Sequence, residues 1–226
     1  MARLARLYAP DTSQLIQVQL SSQVLPEMLE VRFRLLTWIE QTSRHYGLVV
    51  HAWSVTQESI FLFCTPSSPR IISSVVQAVG RHLASTLRVG AVFMSRYRSC
   101  LVESGEYTLA CMVWLESQVY QQEGMSIQDI LPWSSIGWHT GHCTEKDTWI
   151  HLHEAYRQLG NTPLERQVKY RQLCEEGISA GMYQKIQTAL MGQWALGSDD
   201  FIAQIAIVAN RRVSPIARGR PRRRSK

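Results

Sequence analysis

From Gln14 to Leu20 the sequence Gln-Leu-Ile-Gln-Val-Gln-Leu alternates polar and apolar residues, the period of a half-buried strand. After Pro26-Glu27 the period changes. Met28, Val31, Leu35, Trp38 and Ile39 recur at three- and four-residue spacing, which predicts an amphipathic helix stopped at Gly47. Two short β-prone runs, 48–53 and 59–64, flank the polar Thr56-Gln57-Glu58 and predict an antiparallel hairpin. Pro66 and Pro69 break the chain. Ile72, Val75, Val76, Val79, Leu83 and Leu87 then outline a second helix closing near Gly90, with a strand over 91–102 behind it.

Read in order, these elements are β-α-β-β-α-β. The expected fold class is therefore α+β, a ferredoxin-like core in which two helices cover one face of an antiparallel sheet. A further helix is predicted over 104–122, and helical patterns return at 151–159, 163–176, 179–190 and 198–209. Thr162-Pro163-Leu164-Glu165 and Ser198-Asp199-Asp200 have the form of helix N-termini, with a capping hydroxyl and early acids. The division expected is a ferredoxin-like domain over 1–124, a loop plus helical extension over 125–210, and a basic, disordered tail over 211–226.

Charge sharpens the last boundary. The chain of 226 residues carries a net charge of +6, but Arg211, Arg212, Arg218, Arg220, Arg222, Arg223, Arg224 and Lys226 supply eight positive charges with no acid among them. The rest holds sixteen basic against eighteen acidic residues, a net of −2. Basicity belongs to the C-terminus and points to a polyanion, nucleic acid first. Within it Arg218-Gly219-Arg220-Pro221-Arg222 contains a Gly-Arg-Pro core like an AT-hook, suited to a narrow A·T minor groove, with a solubility tail as the plainer alternative. Apolar residues make up 45% and are spread throughout, which excludes wholesale disorder. No apolar run reaches the ~18 residues of a membrane span, and no signal peptide is read, so a cytoplasmic, bacterial nucleoid-associated protein without a membrane partner is expected.

Several segments together resemble the REP-associated tyrosine transposases, relatives of the small insertion-sequence transposases that act on single-stranded DNA. They are Met1-Ala2-Arg3-Leu4, Tyr46-Gly47 with His51-Ala52-Trp53, Gly80-Arg81, Arg96-Tyr97-Arg98-Ser99, Glu106-Tyr107-x-Leu109-Ala110-Cys111, Pro132-Trp133-Ser134-Ser135, and Trp194-Ala195-Leu196-Gly197-Ser198 through Gly219-Arg220-Pro221. The resemblance implies a ferredoxin-like core with a His-hydrophobic-His pair on the central strand, a divalent metal such as Mg or Mn, and a tyrosine on the helix after the last strand. That tyrosine attacks a DNA phosphodiester while the metal polarises the phosphate oxygens.

Carried onto this chain residue by residue, the resemblance places the histidine pair at Ser59 and Phe61 and the tyrosine at Trp114. Phenylalanine has no donor atom, serine is a poor ligand, and indole has no nucleophilic oxygen. Gln118 matches the amide that assists metal binding, but one amide does not hold a catalytic cation. The arginine-glycine pair usual after the first strand is also replaced, around Gln19-Leu20-Ser21. No catalytic residue, bound metal or cofactor is therefore expected. Tyr107, one tyrosine that could substitute, lies seven residues and ~10 Å of helix from Trp114, and Tyr120 faces elsewhere.

Other residues admit competing readings. Trp114 either fills the space left by the tyrosine or stacks on an unpaired base. Trp38, Trp53, Trp133 and Trp194 read as packing residues. Arg96 and Arg98 alternate with Tyr97 and would share one sheet face as a phosphate clamp, or belong to a solvated edge strand. His139, His142, Cys143, His151 and His153 crowd one stretch at spacings that fit no zinc finger and read as a solvated loop. Five cysteines, with no Cys-x-x-Cys, read as free thiols, Cys111 among the core.

The expected function is a DNA-binding, transposase-like protein without strand transfer. Its partners would be hairpin or single-stranded DNA, tail contacts to duplex, and, where the chain pairs with itself, a homodimer. The alternatives are an active nickase with a displaced nucleophile, or a relic or protein-interaction module with no DNA role.

Overall fold

The computed structural model describes residues 5–24, 28–123, 131–143 and 149–215. Strand β1 (Ser13–Gln19), helix α1 (Met28–Tyr46), the hairpin β2 (Val49–Val55) and β3 (Ser59–Thr65), helix α2 (Ile71–Leu87) and strand β4 (Arg98–Val102) realise the β-α-β-β-α-β order. The sheet runs β2-β3-β1-β4, antiparallel throughout, and a two-residue strand β5 (Ala195–Leu196) from the C-terminal part adds in parallel beside β4. Gly47 stops α1 at φ +68, a left-handed conformation that a Cβ disfavours.

After β4 come α3 (Glu106–Glu116), α4 (Gln118–Glu123), a single 3-10 turn at Leu131–Trp133, α5 (Ile136–Thr140), α6 (Glu154–Arg157), α7 (Pro163–Glu176), α8 (Ala180–Gly192) and α9 (Asp199–Val208). The helix expected over 104–122 is thus two helices with a break at Ser117, whose hydroxyl donates back to the Trp114 carbonyl at 2.9 Å. That bond supplies an alternative to the helical ladder. Both expected N-termini are present. Thr162 and Glu165 form a reciprocal capping box on α7 with Pro163 in its first turn, and Ser198 caps α9 ahead of Asp199 and Asp200.

Two cores lie on opposite faces of the sheet. One places Val18, Leu20, Ile60 and Leu62 against Val31, Leu35 and Ile39 of α1 and Ile72, Val75, Val79 and Leu83 of α2. The other places Leu15, Phe61, Phe63, Cys100 and Val102 against α3 and against Tyr170, Ile186, Ala189 and Leu190 of α7 and α8. Helix α3 is buried around most of its circumference, as a helix sandwiched between a sheet and further helices must be. The 125–210 extension therefore shares its core with the sheet and closes the second face. No helix among the described residues is long and apolar enough to cross a membrane.

Candidate functional site

Residues paired across neighbouring strands share a sheet face. Gln17 pairs with Phe61 on one side and Arg98 on the other, and Gln19 pairs with Ser59. Ser59, Phe61 and Arg98 therefore lie on the face packed by α3, the helix that carries Trp114. The three positions that the resemblance singles out thus lie on the same side of the sheet, and two of them, Phe61 and Trp114, are in contact. What meets there is apolar: the Phe61 and Trp114 rings stand edge to face, centroids 5.5 Å apart at 88°, and Trp114 is 3% exposed. Tyr183 of α8 also packs against Trp114, 6.4 Å between centroids.

The surrounding donors do not fit a divalent cation. Phe61 offers no lone pair. The Ser59 hydroxyl, itself buried, accepts from Gln17 Nε2 at 3.4 Å, and Gln118 Nε2 donates to the Trp114 carbonyl at 2.9 Å. Among the described residues no group of three or more His, Cys, Asp or Glu is placed to hold a metal ion. Thiol chemistry is likewise unsupported, because complete burial pushes the Cys111 thiol well above its ordinary range and keeps it protonated.

Immediately past Trp114 lies a polar cluster that the sequence reading did not identify. Glu116, wholly buried, accepts from His139 Nδ1 at 2.7 Å and from the Ser135 hydroxyl on one oxygen, and from the Tyr170 hydroxyl at 2.6 Å on the other. Tyr156 donates to the His139 carbonyl at 2.9 Å. Ser135 also receives the Trp53 amide at 2.9 Å, and the Ser134 hydroxyl donates to the Glu116 carbonyl at 3.2 Å. The Pro132-Trp133-Ser134-Ser135 motif is thus the joint that ties β2 and the end of α3 to the extension. The available signal was a glutamate closing the apolar run Cys111-Met112-Val113-Trp114-Leu115 on a helix buried on nearly all sides.

The solvated-loop reading of the histidines needs correction. His142 and His151 are exposed, but His139 is 0% and His153 8% exposed. His153 caps α6 by accepting from the Ala155 amide through Nδ1, so its Nε2 carries the proton and donates to Ser13 Oγ at 3.1 Å. His51 Nδ1 donates to the His151 carbonyl at 2.7 Å, which leaves Nε2 to accept from the Thr65 hydroxyl at 2.9 Å. With Ser13 and Thr65 2.8 Å apart, a one-way chain of hydrogen bonds runs from His153 to His51. Burial lowers the pKa of both imidazoles, His51 to about 4.

The basic residues are dispersed. Strand β4 begins only at Arg98, after a bend at 94–96, so Arg96 and Arg98 do not share a sheet face as alternation had implied. Arg98 faces α3, whereas Arg96 lines a groove of about 610 Å³ between α2 and the 90–97 segment, together with Arg6 and Arg81. The chain stays in the fold past Arg211. Arg211 donates to the Gln193 carbonyl and lies 5.5 Å from the Trp194 ring, Val213 is 4% exposed, and its carbonyl receives the Ala195 amide at 2.8 Å. Arg212 is exposed. Arg218, Gly219, Arg220, Pro221, Arg222, Arg223 and Arg224 lie outside the described residues.

At the level of sequence, no family model and no curated protein matches the chain. Solved structures do. A REP-associated tyrosine transposase bound to a REP hairpin superposes with a TM-score of 0.54 at 13% identity, covering 67% of this chain and 92% of that one. A candidate transposase from Deinococcus radiodurans R1 aligns over 46% of this chain and 88% of its own, with a TM-score of 0.37 and 17% identity. The first match carries the comparison, and at that identity it bears on architecture: the chain has the fold of a REP-associated tyrosine transposase, the family that its sequence motifs resemble.

Proposed function

We propose that the protein is a DNA-binding member of this fold that neither cuts nor joins strands. The observation that carries the reading is the Phe61–Trp114 contact. Where the resemblance calls for a metal ligand and a tyrosine hydroxyl, two hydrocarbon-rich rings pack against each other in a closed core. Neither half of a metal-assisted phosphodiester attack has an atom to perform it. A DNA role is supported by the fold, by the hairpin held by the solved relative, and by the run of Arg218, Arg220, Arg222, Arg223 and Arg224. In this reading the folded part meets a hairpin or single strand, and the tail adds contacts to adjoining duplex, with Gly219-Arg220-Pro221 in the minor groove.

The test incubates the full chain with hairpin DNA and magnesium or manganese. A salt-sensitive complex that dissociates fully under denaturing conditions, with the DNA intact, is the expected result. A covalent protein–DNA adduct would overturn it. Mapping that adduct to Tyr183, the tyrosine seated against Trp114, would establish a displaced nucleophile, whereas no binding at low salt would remove the DNA role itself.

A further inference from the structure

The groove beside α2 gathers arginines from three separate segments of the chain. Arg81 projects from α2, Arg96 from the segment leading into β4, and Arg6 from the chain entering β1, and all three line one concavity. Among its lining residues there is no Asp or Glu, and among the described residues no carboxylate pairs with any of the three. The background does not favour this, since the chain before Arg211 has a net charge of −2.

Arg6 is held rigidly. Its guanidinium lies 3.5 Å from the Tyr97 ring centroid, Nη2 donates to the Tyr97 carbonyl at 3.4 Å, and Nε is buried without a hydrogen-bond partner. Tyr97 is in turn fixed by the Ser73 hydroxyl at 3.1 Å. Burial is the main influence against the charged form of Arg6; Tyr97 opposes it, and the charge of Arg96 adds a lesser push in the same direction as burial. An arginine held in place, with a buried Nε unpartnered and no carboxylate pairing with it among the described residues, is an arrangement that a bound anion would relieve. At about 610 Å³ the groove has room for more than one anionic group, and Phe93 presents a ring on its wall, seated on α2 because Gly80 has no Cβ to meet it.

We propose that Arg6, Arg81 and Arg96 form a phosphate-binding groove that takes the backbone of a single DNA strand, on the sheet face opposite Phe61 and Trp114. The proposal rests on the DNA-binding reading and gives it a site separate from both the former catalytic positions and the tail. The strand's phosphates lie along the three guanidinium groups, and Phe93 offers a surface for a base. Free nucleotides share the same anionic chemistry and are separated by the experiment.

Arg81 and Arg96 are exposed, so their removal leaves the fold intact, while Arg6 is kept for its packing on Tyr97. Fluorescence anisotropy of a labelled single-stranded oligonucleotide is measured across a salt series for the full chain, for Arg81→Gln/Arg96→Gln, and for a variant with Arg218, Arg220, Arg222, Arg223 and Arg224 changed to glutamine. The groove variant should lose on the order of tenfold in affinity per arginine at low salt, and its salt slope should fall by about 1.4, two contacts at about 0.7 each. The tail variant should lose slope independently, so that the two losses add. An unchanged slope in the groove variant, with the tail variant weakened, overturns the groove and leaves the DNA reading standing. No binding by the unaltered chain overturns both. ATP that binds at sub-millimolar concentration and is lost in the groove variant, with oligonucleotide binding unaffected, would make this a nucleotide site and also overturn the proposal.

Discussion

Replacing Trp114 separates a residue that fills space from one that reads a base. Its indole is 3% exposed and packs edge-on against Phe61 and Tyr183. Truncation to alanine deletes a large buried ring and two aromatic contacts, so Trp114→Ala should cost about 3–5 kcal/mol of folding stability. Trp114→Phe is more informative. It removes three buried heavy atoms, two of them carbon, about 2 kcal/mol at ~0.8 per methylene-sized group. It also removes the indole N–H, which is buried with no acceptor among the described residues, and so returns about 1–3 kcal/mol of desolvation penalty. The two nearly cancel. Urea unfolding followed by circular dichroism should thus place Trp114→Phe within about 1–2 kcal/mol of the parent. Oligonucleotide affinity of both variants, measured where they are fully folded, should stay within about twofold, since stacking on a base would be worth ~1–3 kcal/mol. A Trp114→Ala protein of undiminished stability whose affinity for single-stranded DNA drops tenfold would refute the filling argument and make Trp114 a stacking platform.

Two other perturbations address the polar clusters. Glu116→Ala leaves the Ser135, His139 and Tyr170 donors facing an empty acceptor in a wholly buried site, and should cost about 3–5 kcal/mol by urea unfolding, against a loss under 1 kcal/mol if the cluster is incidental. For His51, a folded pKa of about 4 set by burial, against about 6.5 unfolded, means that the unfolded chain takes up the proton first as pH falls. Stability is then complete above pH ~6.5 and declines toward pH ~4 by about 3 kcal/mol, because burial penalises the charged imidazolium. His51→Gln should flatten that decline in urea melts taken from pH 7.5 to 4.5, and an equal decline in the variant would assign it to other groups.

The ferredoxin-like core and the start of α7 were legible because their signals are local. The alternation in β1, the three-and-four spacing of α1 and α2, Gly47 and the capping box at Thr162 each act within a few residues, and each reappears in the fold. What local pattern could not specify was where an element's regularity ends. A run of β-prone residues over 91–102 reads as one strand, yet only Leu20–Phe93 bridges early in it, and the ladder with β1 resumes at Arg98. The intervening bend sends Arg96 to the α2 side while Arg98 keeps to the α3 side. A one-residue alternation argument fails as soon as the strand is interrupted.

The same limit explains the histidines and the extension. His139 and His153 sit in polar, irregular sequence, which favours a surface reading, but burial is decided by what arrives from elsewhere in the chain. Tyr170 comes from α7 to complete the Glu116 cluster, and Ser13 and Thr65 come from β1 and β3 to meet His153 and His51. None of these partners is within fifty residues of the group it satisfies except Thr65, fourteen from His51. The positions of Ser59, Phe61 and Trp114, by contrast, were found through the family resemblance, and the fold gives that resemblance a physical content that sequence could not. Phe61 and Trp114 touch each other, and Tyr183 of α8 packs against Trp114. Phenylalanine at 61 has no lone pair to offer a metal and the indole at 114 has no hydroxyl to attack a phosphate, and what the two rings supply is a continuous core. In that packing a histidine introduced at 61 or a tyrosine at 114 would bury a polar atom without a partner at a cost of ~1–3 kcal/mol, so either change made singly should lower stability.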